Sequence, residues 1–181
     1  AMTQTLALPK MIQDQFDINI QLAAELNDIL QEEGALRKRY NDYRSRLRAL
    51  EKDLATNKRR FEYSVLTEDI GLTLHTQRLN LPSVNQFAAN AGDRQRRLSE
   101  ISEKQVTLDQ MLPELAFPNA LVQRLVDSVM FLSDIDRQSF DLKIQELIAN
   151  RIEIVGKLKS GYNRISKLLQ DIEFTTQNII S

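Results

Sequence analysis

The sequence contains no cysteine and no tryptophan, one histidine, five glycines and four prolines among 181 residues. The absence of cysteine excludes disulfide bonds, thiolate metal sites and thiol catalysis, and it says little about the compartment. No stretch approaches about 20 consecutive apolar residues, so the sequence predicts no membrane-spanning helix. No basic start followed by an apolar run indicates a signal peptide. The net charge of −1 predicts no general attraction to nucleic acid or acidic membranes.

Residues that carry catalysis are also scarce. His75 is the only histidine, so it cannot form a metal cluster, and we interpret it as a partly exposed residue on a helix surface. Carboxylate pairs such as Glu32 and Glu33 lie on helix faces with no sign of an enclosing pocket. No Ser-His-Asp arrangement, glycine-rich phosphate loop or HExxH motif occurs. We therefore predict a protein that is not an enzyme, with no catalytic, cofactor-binding or metal-binding residue and no cofactor.

The most informative stretch that is present runs from Leu36 to Phe61. Its apolar residues recur at steps of four and three, which is a 3.5-residue repeat and predicts a narrow stripe on a helix that needs a partner helix. The stripe consists of Leu36, Tyr40, Tyr43, Leu47, Leu50, Leu54 and Phe61, with Asn57 at one beat, and it extends to Leu22, Leu26, Ile29, Val65, Leu72 and Leu79. The sequence therefore predicts a helical coiled-coil module organised around this stripe.

The first helix is predicted to run from about Lys10 to Leu81, which is roughly 105 Å if unbroken. Pro9 suits its first turn, and Pro82 ends it because proline lacks an N–H group. Gly34 is the expected position of a kink or break, since glycine costs about 1 kcal/mol relative to alanine inside a helix.

The return leg is predicted in two pieces. Ser83 would cap a short helix to about Ala91, Gly92 would interrupt it, and Asp93 would cap a second segment. That segment keeps the heptad rhythm, and Pro113 and Pro118 bracket a connector. Its beats are Leu98, Ile101, Gln105, Leu108 and Leu112.

A short core-like stretch and a long final helix complete the chain. Asn119 is the predicted cap of the short stretch, whose apolar residues are Leu121, Val122, Leu125, Val126, Val129, Met130 and Leu132. Ser133 or Asp134 would cap a final helix that ends near Ile180. Its heptad beats are Ile144, Leu147, Arg151, Ile154, Leu158, Gly161, Ile165, Leu168, Ile172, Thr175 and Ile179.

These elements predict an all-α fold, an elongated antiparallel three-helix bundle or coiled coil with one very long N-terminal helix. Residues 1–9 would be a tag remnant and flexible start, and residues 10–181 a single elongated helical domain excised from a larger protein. Because the returning legs are shorter than the first helix, residues 10–33 should overhang. An uncovered overhang predicts a weak, salt-sensitive antiparallel homodimer through residues 10–33. Its exposed apolar residues would be Ile12, Phe16, Ile20, Ala23, Leu26 and Leu30.

Charge divides the first helix into two parts. Residues 11–36 carry only acidic charges, whereas residues 37–60 carry ten basic residues against Asp42, Glu51 and Asp53. The basic part could contact phosphates, or it could be a solvated flank that pairs with acidic residues of the return leg, for example Glu100, Glu103 and Asp109. We favour the flank over nucleic acid, because no aromatics are interleaved for base stacking. A membrane-curvature bundle is a further alternative, but no insertion residues accompany the basic face.

Several stretches resemble the periplasmic helical region of large mechanosensitive channels of the small-conductance (MscS) superfamily. Residues 15–27, QFDINIQLAAELN, are similar to an acidic run of that family. Residues 60–83 resemble the family's stretch that ends a long helix in Leu-Pro, here Leu81 and Pro82. Residues 146–173, ELIANRIEIVGKLKSGYNRISKLLQDIE, are similar to its leucine-rich rhythm before the membrane part. Order and spacing match over about residues 15–180, while Ile154 and Val155 stand where Leu-Leu is usual.

The resemblance implies an excised periplasmic domain of an inner-membrane ion channel that opens under membrane tension and protects cells from osmotic shock. It would act as a spacer, assembly element or gating modulator, and its partners would be the rest of the channel chain and neighbouring subunits. The family has no catalytic residue to carry over, and its gating residues fall outside this chain. The alternative is a soluble coiled-coil adaptor that binds a partner helix or nucleic acid through residues 37–60.

Overall fold

The computed structural model describes residues 9–63, 68–79, 90–130 and 133–180, without the side chains of residues 61, 63, 68–70, 73, 74 and 77. These residues form five α-helices and no strand. The helices are α1 (Lys10–Tyr63), α2 (Glu68–Leu79), α3 (Ala91–Leu115), α4 (Pro118–Asp127) and α5 (Asp134–Ile180). The predicted all-α fold with a long N-terminal helix is confirmed.

Helix α1 is continuous across Gly34, so the predicted break there is wrong. Heptad residues on both sides of the glycine are buried, among them Ile29 and Leu36, so packing outweighs the weak helix propensity of one residue. Helix α1 ends at Tyr63 and α2 begins at Glu68, and residues 64–67 lie outside the described part. The predicted stop at Pro82 and the predicted cap Ser83 also lie outside the described residues.

Helix α3 corrects three predictions about the return leg. It begins at Ala91 and passes through Gly92 and Asp93, so Gly92 does not interrupt it and Asp93 does not cap it. It also includes Pro113, which lies in its last turn, and Ala116 N–H still donates to Leu112 O at 2.8 Å. Proline removes only its own N–H bond, and near a C-terminus the helix has little length left to lose.

Helix α4 begins with Pro118 at its first position, after Phe117, so the predicted cap Asn119 is wrong. The fixed φ of proline suits the first turn of a helix, where an N–H group has no intrahelical acceptor. Its predicted core character is confirmed by the burial of Leu121, Val122, Leu125 and Val126. Met130, a predicted member of this core-like stretch, is exposed, and Leu132 lies outside the described residues.

Helix α5 begins with a side-chain cap, as predicted from Ser133. The Ser133 hydroxyl accepts a hydrogen bond from the Asp136 N–H at 3.2 Å and donates to the Asp136 carboxylate at 2.7 Å. This reciprocal pair satisfies one of the free N–H groups of the first turn. The helix then continues to Ile180, which confirms the predicted end.

The chain divides into two compact units. The first unit comprises Ala1–Glu33 and Ile101–Ile165, and the second comprises Gly34–Glu100 and Ser166–Ser181. Helices α1, α3 and α5 each contribute residues to both units.

In the first unit, α1 and α5 run parallel, and α3 runs antiparallel to both. The parallel direction follows from two contacts, Asn19 with Leu147 and Glu33 with Arg164. Helix α3 is antiparallel to α5 because Gln105 contacts Asn163 whereas Asp109, further along α3, contacts the earlier Lys159, and α3 reaches α1 through Lys104 and Glu25. The predicted antiparallel arrangement of the first helix, the return leg and the final helix is therefore observed in this unit. The predicted overhang of residues 10–33 is wrong, because this segment packs against the returning helices, and Ile12 is 0% exposed.

The core of the first unit is richest along α5. The predicted heptad beats Ile144, Leu147, Leu158 and Ile165 are buried, and Ile154 is half-buried. A further column, spaced by seven residues and not anticipated from the sequence, is also buried. It consists of Ile148, Val155 and Tyr162. A face this wide covers two partner helices, whereas a two-column stripe covers one.

The second unit has a smaller set of buried residues in its described part. They are Leu36, Arg94, Leu169, Ile172, Thr175 and Thr176. Arg94 forms an ion pair with Glu173, with 2.5 Å between Nη2 and Oε2. No residue from 37 to 60 is buried, and Leu54 is 71% exposed. The stripe from Leu36 to Phe61, predicted to organise the fold, is therefore only partly covered, because few described residues pack against it.

Candidate functional site

The described residues provide no constellation for catalysis. Nowhere among them do three or more histidine, cysteine, aspartate or glutamate side chains cluster as metal ligands would. His75 is exposed on α2, as predicted. Within the same residues, no helix has the length and apolar character needed to cross a bilayer.

Two open grooves in the first unit also lack convergent reactive groups. One lies between α1 and α5 and is lined by Leu26, Leu30, Ile152 and Gly156, with Arg164 at its edge. Glu153, also on this groove, accepts a hydrogen bond from Lys157, and this bond lowers the pKa of the Glu153 carboxyl. The second groove lies between α4 and the start of α5 and is lined mainly by polar side chains. Both are more suitable for contact with a surface than for enclosing a substrate.

The basic part of α1 is a charged surface of the second unit. Several cations of residues 37–60 are exposed and form no ion pair with any described residue, namely Lys38, Arg39, Arg44, Arg46, Arg48, Lys52, Lys58 and Arg59. Residues 37–60 therefore present a strongly positive face.

Two of the three acidic residues suggested as partners for this face form ion pairs elsewhere. Asp109 pairs with Lys159 of α5, with 2.6 Å between Oδ1 and Nζ. Glu100 pairs with Arg97 on its own helix at 3.0 Å. Glu103 forms no ion pair with a described residue. Asp109 and Glu100 therefore form their ion pairs with α5 and with their own helix.

A second candidate is a buried polar network around Arg151, which is 3% exposed. Its Nε donates to Asn19 Oδ1, its Nη1 to Gln15 Oε1, and its Nη2 to the Gln15 carbonyl oxygen, each at 2.7 Å. Asn19 Nδ2 in turn donates to the Leu147 carbonyl at 2.8 Å. These bonds join α1 to α5 in one register, because a shift of one residue would separate every donor from its acceptor.

Burial lowers the pKa of the Arg151 guanidinium from its ordinary value, and the negative charge of Glu114 opposes this shift. Arginine remains protonated at any physiological pH, so the site holds a permanent cation whose direct partners in this network are neutral. A buried charge left without hydrogen bonds would cost several kcal/mol, roughly. The function of Gln15 and Asn19 is therefore to satisfy this cation.

Two further polar contacts lie in the same interface between α1 and α5. Tyr162 donates its hydroxyl to Glu25, whose Oε1 lies 3.2 Å from Lys104 Nζ on α3. Arg164 Nε donates to both oxygens of Glu33 at 3.0 Å. Each contact gives a hydrogen-bond donor to a carboxylate of residues 11–36, a stretch that contains no basic residue of its own. Only the helix pairing, which sequence does not give, brings these partners together.

The sequence predicts no site residue, and the Arg151 network is an addition from the structure. A signal was present, because Arg151 occupies a heptad beat between Leu147 and Leu158, where a charged residue needs a buried partner. Asn19 occupies a corresponding beat of α1, seven residues after Ile12. A contact that sets the register of two helices requires one polar residue on the apolar stripe of each helix.

No protein-family model, no curated protein and no solved structure matches this chain.

Proposed function

We propose that this chain is a non-catalytic periplasmic domain of a mechanosensitive ion channel of the small-conductance superfamily, on the periplasmic side of the inner membrane. In this role it acts as a spacer, an assembly element or a gating modulator. Its partners are the remainder of the channel chain and the neighbouring subunits. A stiff helical bundle joined to a channel biases the closed–open equilibrium if its contacts differ between the two states.

One observation carries the proposal. Two of the stretches that bear the resemblance are 15–27 and 146–173, and residues 15–27 pack against the part of the second stretch that lies in the first unit, residues 146–165. The contacts use residues inside both stretches, namely Gln15 and Asn19 with Arg151, and Glu25 with Tyr162. The resemblance therefore involves residues that hold two helices together, as expected if it reflects a shared fold and more than a shared composition.

Patch-clamp recording of the parent channel tests the proposal. We expect deletion of residues 10–180 to change the tension threshold, the inactivation or the assembly of the channel. Arg151→Leu, which breaks the buried network, should shift the threshold in the same direction. Lys167→Ala, at an exposed position of α5, is the matched control and should behave as the unmodified channel. Unchanged threshold, inactivation and assembly after the deletion would rule out both the gating and the assembly role.

A soluble coiled-coil adaptor is the second candidate, and the exposed cations of residues 37–60 favour it. In that case the basic face binds a partner helix or nucleic acid. A salt-dependent mobility shift of DNA or RNA, lost when Arg44, Arg46 and Arg48 become Glu, would support nucleic acid. The parent gene beyond codon 181 also separates the candidates, because apolar segments of membrane-spanning length favour the channel and a stop codon favours the adaptor.

A further inference from the structure

The half-covered stripe of α1 has the pattern of a coiled-coil seam. We use the name seam for Tyr40, Tyr43, Leu47, Leu50 and Leu54, all of which belong to the second unit. None of them is buried, and Leu54 is 71% exposed. In heptad notation Tyr40, Leu47 and Leu54 occupy position a, and Tyr43 and Leu50 occupy position d. Apolar residues at these positions form the contact surface of two-stranded coiled coils.

Charged residues border the seam on both sides. Position e carries Arg44, Glu51 and Lys58, and position g carries Arg39, Arg46 and Asp53. All six are exposed, and none forms an ion pair with a described residue. In coiled coils these two positions flank the apolar contact, and their charges select the partner and its direction.

We propose that the seam is covered by a second copy of this chain, in a parallel two-stranded coiled coil over about residues 36–61. In a parallel pair, each g position faces the next e position of the other helix. Arg46 then faces Glu51 of the second copy, and Asp53 faces Lys58, so both pairs attract. Arg39 faces Arg44, which is the one repulsive pair in this stretch. The two-fold axis repeats each pair on the opposite side.

The charge pattern selects this arrangement over two others. An antiparallel pair faces e with e and g with g. In the antiparallel register that pairs Arg44 with Glu51 and Arg46 with Asp53, the neighbouring e and g positions bring Arg37 opposite Lys58 and Arg39 opposite Arg60. Half of the pairs then repel, against one in three in the parallel pair. A nucleic acid would gain nothing from the leucines of the seam, and Glu51 and Asp53 would repel its phosphates. A second copy in parallel register uses both the leucines and these two acidic residues.

The proposed contact is short. It spans fewer than four heptads, or roughly 40 Å of helix, and one repulsive pair opposes it. We therefore expect self-association that depends on protein concentration. It does not rest on the proposed channel function, because it concerns only residues of the second unit.

Sedimentation velocity across a range of protein concentrations tests the proposal with charge reversals. Arg46→Glu places two carboxylates opposite each other on both sides of the dimer and should weaken dimerisation roughly tenfold. Adding Glu51→Arg restores opposite charges and should recover most of the loss. Arg39→Glu converts the repulsive pair into an attractive one and should tighten the dimer. Lys52→Glu, at the outward position f, makes the same charge change and should have little effect.

A disulfide test reports the direction of the helices. The chain has no cysteine, so single engineered cysteines give unambiguous cross-links. Leu54→Cys places the thiol at position a, which faces position a of the partner only in parallel register. We expect oxidation to give a covalent dimer. Ala49→Cys, at the outward position c, should remain monomeric under the same conditions. Both side chains are exposed, so the fold is not expected to change.

Several results would overturn the proposal. One is a monomer at every concentration, including a monomer that binds duplex DNA or RNA through the basic face. Another is equal weakening by Arg46→Glu and Lys52→Glu, which would indicate a general charge effect. A dimer in which Leu54→Cys does not cross-link would place the contact on another surface or in antiparallel register.

Discussion

The two parts of α1 carry the same 3.5-residue repeat, but only the first part is buried. In residues 10–36 the heptad beats include Asn19 and Glu33, and yet the stripe is covered. In residues 37–60 every beat but Asn57 is apolar, and yet none is buried. The apolar content of a stripe therefore does not decide its burial. What decides it is whether a facing helix supplies partners, and in the first unit α5 supplies Arg151 and Arg164 for the polar beats.

The largest expected difference between the two regions is in cavity formation. Leu158→Ala removes a side chain that is 0% exposed in the first unit, and it should lower the free energy of unfolding by about 2–5 kcal/mol. Leu47→Ala makes the same change on the half-exposed stripe and should cost about 1 kcal/mol or less. Urea unfolding followed by circular dichroism measures both. Equal losses would show that the second region is covered as well as the first.

The buried network should give the next largest effect. Arg151→Leu leaves the oxygens of Asn19 and Gln15 without their donors in a buried place, at a cost of about 1–3 kcal/mol. Adding Asn19→Leu should cost less than the sum of the two single changes, since the two residues act as one contact. Arg59→Leu, an exposed arginine of the second region, is the control and should change stability by about 0.5 kcal/mol at most. Additive losses in the double variant would contradict a shared network.

Two glycines differ in how closely other residues pack around them. A Cβ at Gly161 would lie 2.7 Å from Ile29 Cγ2, whereas a Cβ at Gly34 would meet nothing within 4 Å. Gly161→Ala should therefore destabilise by about 1–2 kcal/mol, because the branched isoleucine cannot easily turn away. Gly34→Ala should stabilise by about 0.5–1 kcal/mol through helix propensity alone. Thermal unfolding reports both, and Ile29→Leu, which lacks that methyl group, should partly rescue Gly161→Ala.

The smallest expected effect concerns a buried hydroxyl in the second unit. Thr176 Oγ1 is buried and has no hydrogen-bond partner among the described residues, whereas Thr175 Oγ1 donates to the Asp171 carbonyl at 2.8 Å. Thr176→Val removes a polar group that gains nothing from burial and should stabilise by about 1 kcal/mol. Thr175→Val should give no gain, because it removes a bond that is present. A loss of stability in Thr176→Val would indicate that its hydroxyl has an acceptor.

The sequence predicted the helices better than their pairing. The register of α5 was correct because the repeat of Ile144, Leu158 and Ile165 is local information. The predicted caps Asp93 and Asn119 are wrong. A capping preference is worth only about 1 kcal/mol, so helix packing and Pro118, the first residue of α4, determine where these helices begin.

The overhang was wrong for a different reason. We inferred it from helix lengths alone, and the pairing offset between α1 and α5 is not a local property. The buried contacts of Arg151 set that offset, and the expected homodimer through residues 10–33 loses its premise because Ile12 and Ile29 are covered. That pairing remains untested, although Phe16, Ile20 and Leu30 stay exposed on another side of the helix.

The contacts between α1 and α5 also have a consequence for the order in which the molecule forms. Asn19 and Leu147 are 128 residues apart in the chain, and Gln15 and Arg151 are 136 apart. Helical proteins usually fold quickly because their contacts are local, whereas distant contacts slow folding through the entropy of closing a long loop. During synthesis the first part of α1 leaves the ribosome long before α5 exists. Its apolar stripe then lacks the facing side of α5 until that helix has been synthesised, and during this interval the nascent chain is exposed to aggregation.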